Sequence, residues 1–373
     1  MRLLDRYLLR EMLVPLAYCL GGFTVFWIAF DLFDQLDRFQ SNLMTTGDVV
    51  EYYAVRLPEF VVTALPLALL LGLLYALSRH ARHQEITAIR AAGVSIWRLA
   101  VPYFGVAVVA GAVLFWLNEG FVPDATERAE QIKRRRLPRT ETPDQDLARQ
   151  VGFTNDRERR AWQIAEFNFR TAQMLNPKVI EFLPDGSQRW LDAERAGRVN
   201  GVWTFFNVRQ YHVAAGANAV PTLLLQTNAL ARPDFDETPE AIRSELKINR
   251  RLRGRLAREA EVPLRELLDY LRFHPRPARQ DRPWLYTMLH ARLAMPWTCV
   301  IVVLVALPVG LATGRRNLFV GVAASIVIGF GYFVLGQLGV ALGTGGHLPP
   351  WVAGWLANAV FGLGGVWWTA RMR

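Results

Sequence analysis

The sequence predicts a polytopic α-helical membrane protein with six transmembrane helices and one inserted antiparallel β domain outside the cytoplasm. Three observations predict it. Hydrophobic residues make up 52% of the 373-residue chain and gather in blocks. A hydrocarbon core about 30 Å thick needs roughly 20 apolar residues per helix, which is the size of those blocks. Arginines favour alternate loops, and the one long stretch without an apolar block changes both composition and periodicity.

The apolar blocks run over Leu13–Phe33, Leu57–Leu77, Leu99–Phe121, Met288–Ala312, Leu318–Leu342 and Trp351–Ala370. The first is too long for a signal-peptide core and lacks a small-residue cleavage site, so it reads as retained. Arg2, Arg6 and Arg10 precede the first span. Arg79, Arg82, Arg90 and Arg98 separate the second from the third, Arg315 and Arg316 the fourth from the fifth, and Arg371 and Arg373 close the chain. The opposite short loops are poor in basic residues. By the positive-inside rule both termini of this multi-pass chain are cytoplasmic. The formal charge of +10 is in part this bias towards anionic lipid. A nucleic-acid partner is not expected.

The same alternation exports the region 122–262, between a first block 1–121 and a last block 263–373. VIEFLPDGSQRWLDAERA reads as two strands joined through Pro184-Asp185-Gly186. Asn200-Gly201 is a favoured hairpin dipeptide. Ile180, Phe182, Trp190, Trp203 and Phe205 are the expected inward residues. Val262–Phe273 then reads as a helix with Pro263 near its first turn. The basic runs Lys133–Arg136 and Arg250–Arg258 read as solvated helix faces rather than phosphate sites.

Between spans two and three lies HQEITAIRAAGVSIWRL, His83 to Leu99. As a helix at about 83–92 it places Glu85, Ile86, Ile89, Ala92 and Gly93 on one face, with Thr87 and Arg90 pointing away. That pattern fits a basic amphipathic helix on the membrane surface. The second reading of the same pattern is a thin helix that enters a groove of another protein.

Catalytic signals are missing. The chain has no GxxxxGK[ST] run and no HExxH, and Gly310–Asn317 is a short basic loop rather than a phosphate cradle. His80 and His83 read as interfacial, and Cys19 and Cys299 as packing residues inside apolar spans. No cofactor of the chain's own is implied. Asp31, Asp34 and Asp37 recur at the outer end of span one, either as a polar lining or as a helix end meeting water. Their charge would repel a phosphorylated ligand, which leaves Arg38 and Arg56 as the better phosphate contacts.

Several segments, in this order around a β domain, resemble one family: RYLLRE at the amino terminus, LPLALLLGLLYALSRH in span two, QEITAIRAAGVSIWRL after it, LHARLAMPWTCVIVVLVALPVGL at span four, and HLPPWVAGWLANAVF before span six. Together they resemble the LptF/LptG permeases of the bacterial lipopolysaccharide export ABC transporter, and FDLFDQLDRF is more similar to LptG. The resemblance implies six membrane helices and a jelly-roll-like exported domain. It implies a subunit that extracts lipopolysaccharide from the inner membrane with a second, LptF-like permease and passes it to an LptC-like periplasmic bridge protein. An LptB-like ATPase dimer would bind the ATP. The segment around Glu85 would be the coupling helix, with Glu85, Ile86, Ile89, Arg90, Ala92 and Gly93 as contacts. Lipid contacts would be Arg38, Arg56, Phe26, Phe30 and Phe33, with Phe330, Phe333 and Leu338 from span five. A non-transporting envelope scaffold and a membrane-bound lipid-modifying enzyme are the alternatives. The scaffold would need no coupling helix, and the enzyme would need a convergent nucleophile or metal site.

Overall fold

A computed structural model describes residues 3–135, 147–216, 220–253, 262–312 and 318–371. It divides into two compact units, Met1–Leu137 with Arg282–Arg373, and Pro138–Asp281. The divisions fall later than the charge pattern suggests.

In the first unit, α1 (Leu3–Ser41) and α2 (Thr46–Arg82) run antiparallel, and α3 (Glu85–Ala91) follows. α4 (Ile96–Gly120) leads into α5 (Val122–Arg134). α5 stays with this unit because Ala129 and Ile132 bury against Phe39, Tyr52, Tyr53 and Phe60. Five helical stretches among the described residues are long and apolar enough to cross a membrane: Leu3–Ser41, Thr46–Arg82, Ile96–Gly120, Arg282–Leu311 and Ala323–Thr344. The last helix, Pro350–Arg371, has the length, but its tryptophans, glycines and Asn358 make it less apolar.

Local chemistry explains the breaks between these helices. Thr45 caps α2 by accepting from the Asp48 N–H, while Asp48 accepts from the Thr45 N–H at 2.9 Å, a reciprocal capping box. The stretch Arg282–Leu311 is interrupted: α8 (Arg282–Ala294) passes through a 3-10 turn at Met295–Trp297 into α9 (Thr298–Ala312). Pro296 cannot donate a hydrogen bond and its ring crowds the preceding turn, so the α-helical ladder cannot continue through it. At that break a Cβ on Gly111 of α4 would collide with the Pro296 carbonyl, so a bare α-carbon is needed for the two backbones to meet. The remaining helices are α10 (Leu318–Thr344) and α11 (Pro350–Arg371). Residues 136, 254–258 and 313–317, which carry much of the two basic runs and the Arg315-Arg316 pair, lie outside the described residues.

The second unit holds eight strands: β1 (Leu147–Asn155), β2 (Arg160–Asn168), β3 (Gln173–Leu175), β4 (Lys178–Phe182), β5 (Gln188–Asp192), β6 (Arg195–Val199), β7 (Val202–Val213) and β8 (Thr222–Arg232). All pairs are antiparallel. Against β2, Leu175 faces Glu166 and Glu181 faces Arg160, so β3 and β4 are one strand interrupted at Asn176-Pro177. Against β7, Gln188 faces Val213 and Arg195 faces Phe206, which makes β5 and β6 one strand too. The sheet is therefore an antiparallel meander from β1 to β8. The crossovers between strands that define a jelly roll do not occur among the described residues, so the jelly-roll-like expectation is not met.

Both expected turns form. Asn200 and Gly201 have φ of 50° and 82°, the left-handed pair that a two-residue hairpin requires. Gly186 has φ of 83°, and the Asp185 carboxylate accepts from the Ser187 N–H and hydroxyl. The expected inward set needs one correction. Trp203 and Phe205 are fully buried, but in the β4–β5 hairpin Val179 and Leu191 point inward. Ile180 and Trp190 are only half-buried and Phe182 is exposed. Consecutive apolar residues leave the phase of alternation undefined, and a one-residue shift exchanges the two faces.

The end of the sheet is closed by buried charge. Glu237 accepts from Asn155 at 2.9 Å and from Arg160 at 3.0 Å, while the Trp203 indole N–H donates to its carbonyl at 2.6 Å. α6 (Pro239–Arg253) and α7 (Leu264–Phe273) complete the unit. His274 stands between Asp156 at 2.6 Å and Glu245 at 2.9 Å. Burial alone would lower its pKa, yet hydrogen bonds and charge from Glu245 and Asp156 raise it to about 9.

Candidate lipid groove and coupling segment

A groove of about 810 Å³ opens on the side of the membrane unit. Phe23 and Trp27 of α1, Pro66, Leu67 and Leu71 of α2, and Ile326, Phe330 and Phe333 of α10 line it. Its floor is formed by Ala294, Met295 and Thr298 around the Pro296 break, with Gly354, Ala357 and Asn358 of α11.

One polar chain crosses this wall. The Thr298 N–H bonds to the Met295 carbonyl, one residue closer than in an α-helix. The Ala294 carbonyl accepts instead from the Asn358 side-chain amide at 2.8 Å. The Tyr332 hydroxyl donates to the Asn358 side-chain oxygen at 2.5 Å and bonds the Thr298 hydroxyl at 2.8 Å. Polar groups within a bundle must be satisfied by one another. The remaining wall is largely apolar, with Thr63, Ser325 and Gln337 as its other polar members, and suits hydrocarbon chains.

Only part of the expected lipid set lies here. Phe330 and Phe333 line the groove. Phe26, Phe30, Phe33 and Leu338 are exposed and do not line it. On α1, Phe23 and Trp27 are four residues apart and share one face, while Phe26 and Phe33 are turned away from it; Phe30, seven residues from Phe23, is on the same side but does not line the groove. Aromatic spacing identified the helix but not which of its aromatics line the groove.

Arg56, expected as a phosphate contact, is engaged within the fold. Its guanidinium pairs with Asp31 at 3.2 Å and with Glu59 at 2.7 Å, and it lies over the rings of Tyr52 and Phe60. Asp31 also accepts from Tyr53 at 3.0 Å and from Gln35. The guanidinium is thus matched by two carboxylates within the fold. Arg38 is exposed, as are Asp34 and Asp37.

At the end of the bundle that bears the amino terminus, α3 is a single short helix with defined ends. Gln84 enters it at φ of 60°. At its other end the Gly93 N–H donates to the Arg90 carbonyl and the Val94 N–H to the Ile89 carbonyl, with Gly93 at φ of 84°. This pair of bonds is a Schellman motif, which needs a left-handed residue and so favours glycine. Ser95 then caps α4, its hydroxyl accepting from the Arg98 N–H at 3.2 Å.

Glu85 faces inward. Its carboxylate accepts from the Tyr7 hydroxyl of α1 at 2.9 Å and bonds Nδ1 of the buried His80 of α2 at 2.7 Å. Opposite an ionised carboxylate, that nitrogen must carry the hydrogen. Burial works against the charged form of Glu85, but the bonds from His80 and Tyr7 hold its pKa net below the ordinary range. Ile86 is buried and Ile89 packs on the same membrane core. The shared face proposed for Glu85, Ile86 and Ile89 exists, but the chain's own bundle occupies it. The exposed residues are Thr87, Ala88, Arg90 and Ala91, continued by Ala92 and Gly93. An apolar stripe records only that a face is covered, by its own chain or by another. On the far side of α3, Arg98 pairs with Asp5 of α1 at 3.0 Å.

A membrane bundle with a side-opening apolar groove, an inserted β domain and a short helix latched beneath two spans has the layout of a permease subunit. The family model described as lipopolysaccharide export system permease LptF/LptG matches residues 6–371. The chain belongs to this family of transporter components. No curated protein matches it.

Proposed function

We propose that the chain is one of two paired permease subunits of an ABC exporter, driven by a separate LptB-like ATPase dimer. Six spans, counting α11, would cross the inner membrane with both termini in the cytoplasm. The groove bounded by α1 and α10 would take the acyl chains of lipopolysaccharide, with Trp27, Phe330 and Phe333 as contacts. The β unit would pass the lipid to an LptC-like bridge protein. More specifically, the chain would be the LptG-like member, paired with an LptF-like partner.

The observation that carries this reading is the latching of α3. A chain that draws on another protein's ATP hydrolysis needs a surface whose binding differs between the partner's two states. Thr87, Ala88, Arg90 and Ala91 offer a small, exposed face for that docking, extended by Ala92 and Gly93. Through Glu85, a displacement of α3 reaches α1 and α2 together, and Arg98 adds a second tie to α1. Because α1 forms one wall of the groove, a rigid-body shift of α3 would alter its width.

Affinity isolation in mild detergent tests the reading. A P-loop ATPase and a second permease should accompany the chain, and Ala91→Arg should release the ATPase alone. A photoreactive residue at Trp27 or Phe333 should crosslink to lipopolysaccharide in exporting membranes. If neither position crosslinks, the groove assignment is wrong.

A further inference from the structure

A second concavity, of about 580 Å³, lies on the flank of α1 and α2 near the amino-terminal end of the bundle. We propose that it is a binding site for a glycerophospholipid, held by its phosphodiester. The site adjoins the groove at Leu71, which borders both, but contains none of Trp27, Phe330 and Phe333.

Its two ends differ in chemistry. Arg10 and Glu11 of α1 and Arg79 of α2 form one end, tied across the helices by the Arg79–Glu11 pair at 2.7 Å. From there α1 and α2 run side by side, with Tyr18 and Leu71 at the other end of the pocket. At 1.5 Å per residue the eight positions from Arg79 to Leu71 cover about 12 Å. A charged end followed by this length of aromatic and aliphatic wall matches a headgroup and the upper part of an acyl chain. The helices meet closely beside it, since a Cβ on Gly72 would lie 3.0 Å from the Leu16 backbone. The concavity is therefore bounded by a tight helix contact.

Charge selects the headgroup. Two guanidinium groups face one carboxylate, and that carboxylate is already matched by Arg79. Arg10 forms no side-chain ion pair or hydrogen bond among the described residues. It is the group positioned to receive a phosphate oxygen, which guanidinium binds by strong, directional hydrogen bonds. Phosphatidylglycerol offers the net negative charge that this second guanidinium selects. Basic pockets between helices at a membrane surface commonly hold such lipids.

The test uses the full chain, purified with whatever subunits accompany it, and native mass spectrometry after exchange into detergent with one added phospholipid. Phosphatidylglycerol should remain bound more strongly than the zwitterionic phosphatidylethanolamine and phosphatidylcholine. Arg10→Gln should weaken retention of phosphatidylglycerol by roughly tenfold, with partial recovery in Arg10→Lys. Arg10 has no side-chain partner among the described residues, so the variant should keep its subunits and its unfolding midpoint. Equal retention of phosphatidylcholine, or no change in Arg10→Gln, overturns the proposal. Failure to retain any phospholipid also overturns it and assigns that face to a neighbouring subunit. None of these outcomes depends on lipopolysaccharide transport.

Discussion

α2 and α1 are neighbouring helices of nearly equal length and similar hydrophobicity, yet their surroundings differ sharply. In its most apolar stretch α2 is 67% buried within the chain, and α1 only 11%. α10, across the groove from α1, is 17% buried in the same sense. α2 is a central post, with Leu69, Leu70, Leu73, Leu74 and Leu77 enclosed on all sides. α1 and α10 are walls whose outer faces are left for lipid or another protein. Hydrocarbon tails are as apolar as leucine, so hydropathy alone does not separate the two roles. Packing does.

The contrast is sharpest in core truncation. Leu73→Ala should cost about 3 kcal/mol by leaving an unfilled cavity, whereas Phe30→Ala on α1 should change stability by less than about 0.5 kcal/mol. Equal losses in thermal unfolding would remove the distinction between post and wall.

The β unit supplies a contrast of another kind, because its stability should depend on pH. His274, raised to about 9 from an ordinary value of 6.5, contributes stability that is complete below the unfolded value. That contribution is lost as pH rises through about 9. Between pH 6 and pH 10 the unit should lose about 3 kcal/mol, read from denaturation followed by the buried Trp162 and Trp203. His274→Gln should flatten the dependence.

The link between post and wall is tested at Glu85. Glu85→Gln weakens the bonds to Tyr7 and His80 while keeping the shape of α3. ATPase activity of the assembled complex should persist while lipid export falls about tenfold, near 1.4 kcal/mol. A parallel loss of ATPase association would instead make Glu85 a docking residue. The smallest expected effect is Trp27→Ala, which removes one side of the groove. It should reduce crosslinking of lipid at Phe333 by about threefold, with no shift in unfolding midpoint.

Much of this architecture is legible in the sequence because it follows from local, additive chemistry. Apolar blocks of membrane length specify spans, and Pro184-Asp185-Gly186 and Asn200-Gly201 specify turns through backbone preferences that act over two or three residues. Gly93 and Ser95 mark the end of α3 and the start of α4 for the same reason. The site was less legible. Tyr7 and Glu85 are 78 residues apart, and nothing in either segment names the other. The bonds among Ala294, Tyr332 and Asn358 arise only once the Pro296 break is packed against α10 and α11. The phase of the β4–β5 hairpin was hidden by apolar neighbours at Val179 and Ile180.

By itself, then, the sequence determined which segments are apolar, where they stop, and where the chain turns, since each depends on a residue and its near neighbours. Only the tertiary structure decided what each apolar face touches. It turned Glu85, Ile86 and Arg56 inward, and it chose Trp27 over Phe26 for the groove. Burial depends on how helices rotate against one another, and that rotation is set by contacts between residues far apart in the chain.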